Sequence, residues 1–290
     1  MKRYNSSIFG DIVIIAVFIV LIMACLFPVM NVFSRAMSSP TALVRGEVGI
    51  FPVGLNFEAF GIVWNDAKYP RSLIWTAILT VICTVFSLTL TVLCAYPFVY
   101  QELKFRKTFN VLMIFTMYFG AGMIPNFLLM RSLGLIDHPL VLILPGAVSI
   151  FNVILMRSFF YGIPDSLRES AQIDGAGPVR LLISIYLPLS KPVLATISLF
   201  YAVGRWNGFA DALLYMRTER AYDPIQLLLY RIQQGLQSVD SAQLDTGAAT
   251  GLPEAARTAT IVIAMVPILL VYPFLQKYFV SGVTLGAIKE

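Results

Sequence analysis

The stretch ESAQIDGAG at residues 169–177, followed by IYLPLSKP at residues 185–192, decides how this chain is read. It is polar, broken by glycine and able to form a helix, yet it lies between long apolar segments. Residues 12–34, 72–101, 108–130, 139–156 and 258–276 contain no Asp, Glu, Lys, Arg or His. A bilayer core of about 30 Å needs roughly 20 helical residues, so these five windows predict five membrane spans. A sixth is expected from Pro188 to Tyr215, interrupted by Arg205 and Asp211. Composition agrees, with 58% apolar and only 13% charged residues, where a soluble domain carries about 25% charged. The expectation is an all-α membrane protein of one domain, residues 1–290, with six spans at about 12–34, 72–98, 108–130, 139–160, 188–215 and 258–277. A loop at 164–192 and a tail at 278–290 project from it.

The loop has its own local logic. Pro164 and Asp165 lead into Ser166-Leu167-Arg168-Glu169, a capping box in which Ser166 caps the helix start and Glu169 reaches back to the cap amide. Asp174-Gly175 supplies the stop, since glycine takes the left-handed conformation that ends helices. Gly177-Pro178 opens a second helical stretch, with proline tolerated in the first turn. Leu187-Pro188 and Lys191-Pro192 return the chain to the membrane. The predicted helix, about nine residues long, is below the roughly 12 needed for stability in isolation, so a partner's groove is expected to hold it.

The other candidate signals are weaker or negative. Lys2 and Arg3 precede the first span, but the apolar stretch is too long for a signal peptide and no small-x-small site follows, so it reads as an uncleaved helix. Cys25, Cys83 and Cys94 all fall in spans without metal-ligand spacing and read as small apolar filler. The single histidine, His138, stands in a loop without a metal-site partner. No Gly-Lys dipeptide occurs, hence no Walker-type phosphate loop, and no Ser/His/Asp or Cys/His set can form. The chain is therefore not expected to be an enzyme by itself. A pI near 9.1 records topology here rather than nucleic-acid binding. With both termini cytoplasmic, the inner segments carry 11 Lys/Arg against 9 in the outer loops, and the dense cluster Lys104, Arg106, Lys107 favours the inside. Of the two long outer loops, residues 216–257 contain an amphipathic piece at 224–237, which reads as packing or as a surface helix.

The fifth span contains GRWNGFADALLY at 204–215. Charge inside lipid is costly and so faces a cavity, a partner or the interface. Asn207 and Asp211, four apart, share a helical face. Arg205 and Asp211, six apart, do not, which argues against an internal ion pair. Asn207 and Asp211, together with Arg205, are therefore candidates for lining a solute pathway, with Trp206 or Tyr215 stacking on the solute. The plainer reading makes Trp206 an interfacial anchor and Arg205 a snorkelling cation. Gly204 and Gly208 are spaced for close approach of another helix.

Glu169-Ser170-Ala171, Asp174-Gly175-Ala176, Ile185, Leu187-Pro188 and Pro192 together resemble the EAA loop of binding-protein-dependent ABC importer permeases, with Ser170 in place of the usual second alanine. Trp206-Asn207 and the tail YPFLQKYFVSGVTLGAIKE at 272–290 resemble the MalG-type permeases of carbohydrate importers, nearest the LplC/YtcP-like group associated with oligosaccharides, including uronic-acid sugars. The resemblance implies the six-helix type I importer fold in the bacterial cytoplasmic (inner) membrane, with a cytoplasmic coupling helix. Arg168, Glu169, Ser170, Ala171, Asp174, Gly175, Ala176 and Gly177 are then the ATPase-coupling residues. The implied partners are a second permease, an ATP-binding cassette ATPase dimer, an extracellular or periplasmic solute-binding protein, membrane lipid and a sugar, with no nucleic acid. This chain then holds no cofactor, ATP and Mg being bound by the ATPase subunits, and its tail enters the interface between them. Glu169 and Asp174 also have plain roles at the helix ends, and Arg168 and Arg180 are either solvated loop charges or partners of ATPase acids. The rival class, an ATP-independent secondary transporter or channel, needs no polar docking helix and usually shows inverted repeats or midplane ionisable groups.

Overall fold

Apolar windows bounded by proline, glycine and charge build helices and no strands among the described residues. The computed structural model describes residues 8–217, 220–243 and 252–287, with side chains over 10–217, 221–235 and 254–271. Residues 244–251 of the expected outer linker and 288–290 of the tail lie outside the described residues. The chain divides into two compact units, one of Met1–Pro70 with Leu229–Val266 and one of Arg71–Leu228 with Pro267–Glu290.

In the first unit, α1 (Ile8–Ala36) is followed by α2 (Pro40–Val44) and α3 (Glu58–Asn65). Ser39 caps α2 by accepting the Ala42 amide, with Pro40 in the first turn. Ala36, Leu43, Ala59 and Val63 pack against Ala255, Ala259 and Val262, and Arg35 pairs with Glu254. Residues 12–30 of α1 expose Ile, Val, Leu, Phe and Met on every face. In water such a helix would be intolerable; in a bilayer it is the ordinary outer surface of a span.

The second unit starts in α4 (Lys68–Ala95), which tightens into a 3-10 turn at Tyr96–Val99 around Pro97. There follow α5 (Arg106–Tyr118), α6 (Met123–Ser132), a 3-10 turn at Pro139–Leu142 and α7 (Ile150–Phe160). The loop contributes α8 (Asp165–Ile173), α9 (Pro178–Leu181), a π-turn at Leu182–Tyr186 and α10 (Leu187–Leu189). Then come α11 (Lys191–Asn207) and α12 (Ala210–Tyr215); the last two helices, α13 (Ile225–Gln243) and α14 (Leu252–Ala287), each have residues in both units. The amphipathic 224–237 piece is indeed helical. Gly282 and Gly286 lie within α14, where the backbone is helical.

Residues 10–36, 68–99 and 254–271 are unbroken helices long and apolar enough to cross a membrane. Two further pairs qualify only as bent units, α5 with α6 at 108° and Pro178–Leu189 with α11 at 83°. The window at 108–130 is thus not one helix: it breaks at Phe119–Gly122, where Gly122 adopts φ +90°, a conformation glycine reaches without strain. The window at 139–160 is broken by Pro145-Gly146, and only the 11-residue α7 remains, started by Ser149 accepting the Asn152 amide. The window at 188–215 is cut at Gly208–Phe209. All three breaks fall at Gly or Pro-Gly pairs that charge-free length does not register.

Candidate functional site

The loop helix α8 spans nine residues, as its sequence predicts. Its end is a Schellman arrangement: Gly175 sits at φ +80°, its amide donates to the Gln172 carbonyl, and the Ala176 amide donates to the Ala171 carbonyl at 2.9 Å. Its beginning differs from expectation. The helix starts at Asp165 with Pro164 in the cap position and no side-chain cap, so the Ser166–Glu169 capping box is not formed. Pro164 fixes its own φ and hands the first turn to Asp165, whose carboxylate instead pairs with Arg168 at 3.3 Å. Arg168 is likewise not a free loop charge. Its side chain is 13% exposed and its guanidinium lies 5.7 Å from the centre of the Tyr100 ring. Ser170, in place of the second alanine, returns its hydroxyl to the Ser166 carbonyl at 2.8 Å. Glu169, Ser170, Asp174, Gly175 and Gly177 are exposed while Ala171 and Ala176 are half-buried. Ile173, at the tip, is 87% exposed, an apolar knob in a polar loop.

Beneath the loop lies a set of residues that sequence reasoning did not find. Tyr96, Phe160 and Tyr186 meet edge to face at ring distances of 5.4 to 6.4 Å, and Tyr100 joins Tyr96 at 5.6 Å. The Tyr96 hydroxyl donates to the Pro178 carbonyl at 2.8 Å and lies 2.7 Å from the Tyr100 hydroxyl. The end of the second predicted span therefore grips the second helix of the loop. The available signal was YPFVY at 96–100, two tyrosines flanking a proline at a span end. Next to it, Arg106 and Arg157 both face the Tyr161 ring, at 5.3 and 5.8 Å. Pro188 is accommodated inside helical chain because the π-turn before it shifts bonding, with the Leu187 amide donating to Leu182. Tyr96→Phe is expected to cost about 1 kcal/mol of stability, the net worth of one hydrogen bond, seen as a lower melting temperature of the protein in detergent.

The second site lies at the break in the 188–215 segment. The last turn of α11 ends at Asn207, Gly208 is extended, and α12 restarts at Ala210. The six-residue spacing that should have separated Arg205 from Asp211 therefore no longer applies. The chain folds Asp211 back onto Arg205, with Nη1 to Oδ2 at 2.5 Å and Nη2 to Oδ1 at 3.0 Å, a two-pronged ion pair. The expected absence of an internal pair is overturned, because it assumed a continuous helix. The same guanidinium donates to the Leu142 carbonyl at 3.0 Å and the Gly208 carbonyl at 3.2 Å. A side chain at Gly208 would crowd it: a Cβ there comes within 3.3 Å of Arg205 and 3.1 Å of the Gly204 carbonyl. Gly208 lies past the helix end, so Gly204 and Gly208 do not form one flat helical ridge.

Asn207 and Asp211 also cease to share a helical face. Asn207 is exposed at the end of α11, while Asp211 faces Arg205. Trp206 and Tyr215, expected to stack on a sugar, are 7% and 6% exposed. Tyr215 lies parallel to Phe127 at 6.1 Å, and its carbonyl accepts the Asp137 amide, so its ring is part of the packing. Beside the ion pair lies a cleft of about 620 Å³. Cys83 and Ser87 of α4, Ser149 and Asn152 at the start of α7, and Tyr201 and Arg205 of α11 are among its lining. Tyr201 ties these elements together, its hydroxyl lying 2.7 Å from that of Thr91 and accepting the Ser149 amide at 3.1 Å. The described residues contain no group of three or more His, Cys, Asp or Glu placed to hold a metal.

Comparison with known proteins places the chain in a family. Residues 59–285 match the family described as binding-protein-dependent transport system inner membrane component. The chain is 37% identical to the polygalacturonan/rhamnogalacturonan transport system permease protein YtcP of Bacillus subtilis (strain 168), over 99% of both chains. It is 38% identical to protein LplC of the same organism, over 91% of this chain and 89% of that one. Among solved structures, a chain of a bacterial ABC transporter involved in the import of the acidic polysaccharide alginate superposes with a TM-score of 0.85 at 36% identity, covering 96% of this chain and all of that one. By sequence and by fold, the chain belongs to the binding-protein-dependent transport system inner membrane components, the permeases of ABC importers.

Proposed function

We propose that this permease imports an oligosaccharide containing uronic acid units, pairing with a second permease around the solute path. Both chain ends face the cytoplasm, and a binding protein delivers the sugar from outside. ATP and Mg are bound by a pair of separate ATPase subunits, and this chain carries no nucleotide site of its own. The observation that supports coupling is the loop: a nine-residue helix locked by a Schellman end at Gly175, with Glu169, Ser170 and Ile173 exposed and its base clamped by the Tyr96–Tyr186 aromatic set. Being held at its base and bare at its tip, α8 transmits a push from an ATPase groove into α4, α7 and α11. The acidic sugar class is supported by the full-length likeness to permeases named for polygalacturonan/rhamnogalacturonan and alginate import. Of the pathway candidates that the sequence suggests, Arg205 lines the cleft with Ser87, Ser149 and Asn152, Asp211 acts through its pair with Arg205, and the exposed Asn207 is retained.

The test is uptake. Cells lacking this chain are expected to lose import of labelled oligogalacturonate or alginate oligomers and to recover it when the chain is restored. Unchanged uptake of every acidic and neutral oligosaccharide supplied would contradict the reading.

A further inference from the structure

Arg205 and Asp211 form an ion pair within a chain built to span lipid. An apolar pair of similar volume packs at least as well as a buried ion pair, and ionisable groups at membrane depth mark solute or ion paths. The pair is also unequal. Arg205 is 11% exposed and lines the cleft, whereas Asp211 is 31% exposed and does not line it. Two of the guanidinium's bonds go to backbone oxygens, Leu142 and Gly208, and do not depend on Asp211. Arg205 therefore keeps its place at the cleft wall if the carboxylate leaves. What Asp211 supplies is a carboxylate in fork geometry, and each uronic acid unit carries the same group. A sugar hydroxyl is a weaker acceptor for a guanidinium than a carboxylate. A neutral sugar thus leaves the latch shut, and an acidic one competes for it.

We propose that Arg205 selects acidic oligosaccharides by exchange: a uronate carboxylate displaces that of Asp211 on the Arg205 guanidinium while the unit's hydroxyls meet Ser87, Ser149 and Asn152 of the same cleft. The released Asp211 carboxylate, already partly exposed, turns to water. Arg205 stays charge-paired throughout, so the cleft never carries a bare cation. This rests on the reading that the importer carries a uronic-acid oligosaccharide.

The test uses right-side-out membrane vesicles holding the whole importer with its binding protein. Uptake of labelled trigalacturonate, a mannuronate trimer and neutral galactotriose is measured and normalised to complex recovered intact. Asp211→Asn removes the competitor and is expected to lower KM for the acidic trimer that the wild type transports. The double variant Arg205→Gln/Asp211→Asn keeps a neutral hydrogen-bonding pair that can fold where a single change does not. It is expected to lose about tenfold to a hundredfold in kcat/KM for that trimer, the value of one charge-assisted contact. A KM raised by Asp211→Asn, or acidic uptake undiminished in the double variant, overturns the exchange while leaving the acidic-sugar reading in place. Wild-type vesicles that take up only galactotriose overturn both.

Discussion

Removal of residues 166–178 is expected to abolish binding of the ATPase subunits while the chain still inserts in the membrane. The deleted segment holds α8, its Schellman turn and Gly177-Pro178, none of which belongs to an apolar window. Its largest apolar contribution to the outside is Ile173, which is 87% exposed among the described residues. The unit's apolar cluster is built instead from Val92, Ala95, Tyr96, Val153, Met156, Phe160, Tyr186 and Ile197 and survives the cut. What the cut removes from the interior is the Tyr96–Pro178 hydrogen bond and the Arg168–Tyr100 contact, together about 1–3 kcal/mol. Docking of a partner, by contrast, is lost outright, because the segment it would grip is gone. The measurement is co-precipitation of the ATPase from membranes. Retained ATPase at wild-type stoichiometry would show that α8 is not the coupling element. A milder variant makes the same point: Gly175→Val forces a branched side chain into φ +80°, costing more than the roughly 1–2 kcal/mol of an ordinary residue there, and should weaken docking without removing it.

Breaking one side of the Arg205–Asp211 pair is expected to destabilise the protein far more than removing both sides. Arg205→Met leaves a carboxylate facing the space its partner filled, and Asp211→Leu leaves a guanidinium that is 11% exposed with only backbone oxygens to hold. Orphaning one member of a fully buried pair costs about 3–5 kcal/mol. Asp211 is 31% exposed, so water recovers part of that and each single change here should cost less, about 2 kcal/mol. The double variant, apolar on both sides, should return near the wild type, giving a large coupling energy in a double-mutant cycle. Thermal unfolding of the four proteins in one detergent reads it. Additive losses would mean that the two residues act separately and that the chain does not fold back at Gly208.

These two sites were legible in the sequence to different degrees. The loop helix α8 was readable in length and in its end, because Asp174-Gly175 is a local signal that tertiary structure had no reason to override. Its start was not, because Pro164 moved the helix start by two residues and replaced a capping box with an Asp165–Arg168 pair. Charge-free windows located membrane segments well, since hydrophobic length is what a bilayer demands. They were blind to continuity: the breaks at Gly120–Gly122 and Pro145-Gly146 add no charge and so leave the windows intact, and Gly208 is as silent in the 188–215 segment. The Arg205–Asp211 error followed from that blindness. A spacing of six excludes contact on an unbroken helix, and a single extended glycine brings the two side chains together. The same break separated Asn207 from Asp211, while burial took Trp206 and Tyr215 out of consideration as sugar platforms. The aromatic grip of Tyr96, Tyr100, Phe160 and Tyr186 joins residues up to 90 positions apart, which no local pattern specifies.

Coupling through α8 requires that this chain be one part of an ATP-driven complex. The most direct test is to purify it by a tag from native membranes in mild detergent, identify what co-elutes and assay ATP hydrolysis. The expected result is a P-loop ATPase and a second permease in constant proportion to this chain, with ATPase activity in the peak. Elution of the chain alone, at a yield where bound subunits would be seen, would contradict it.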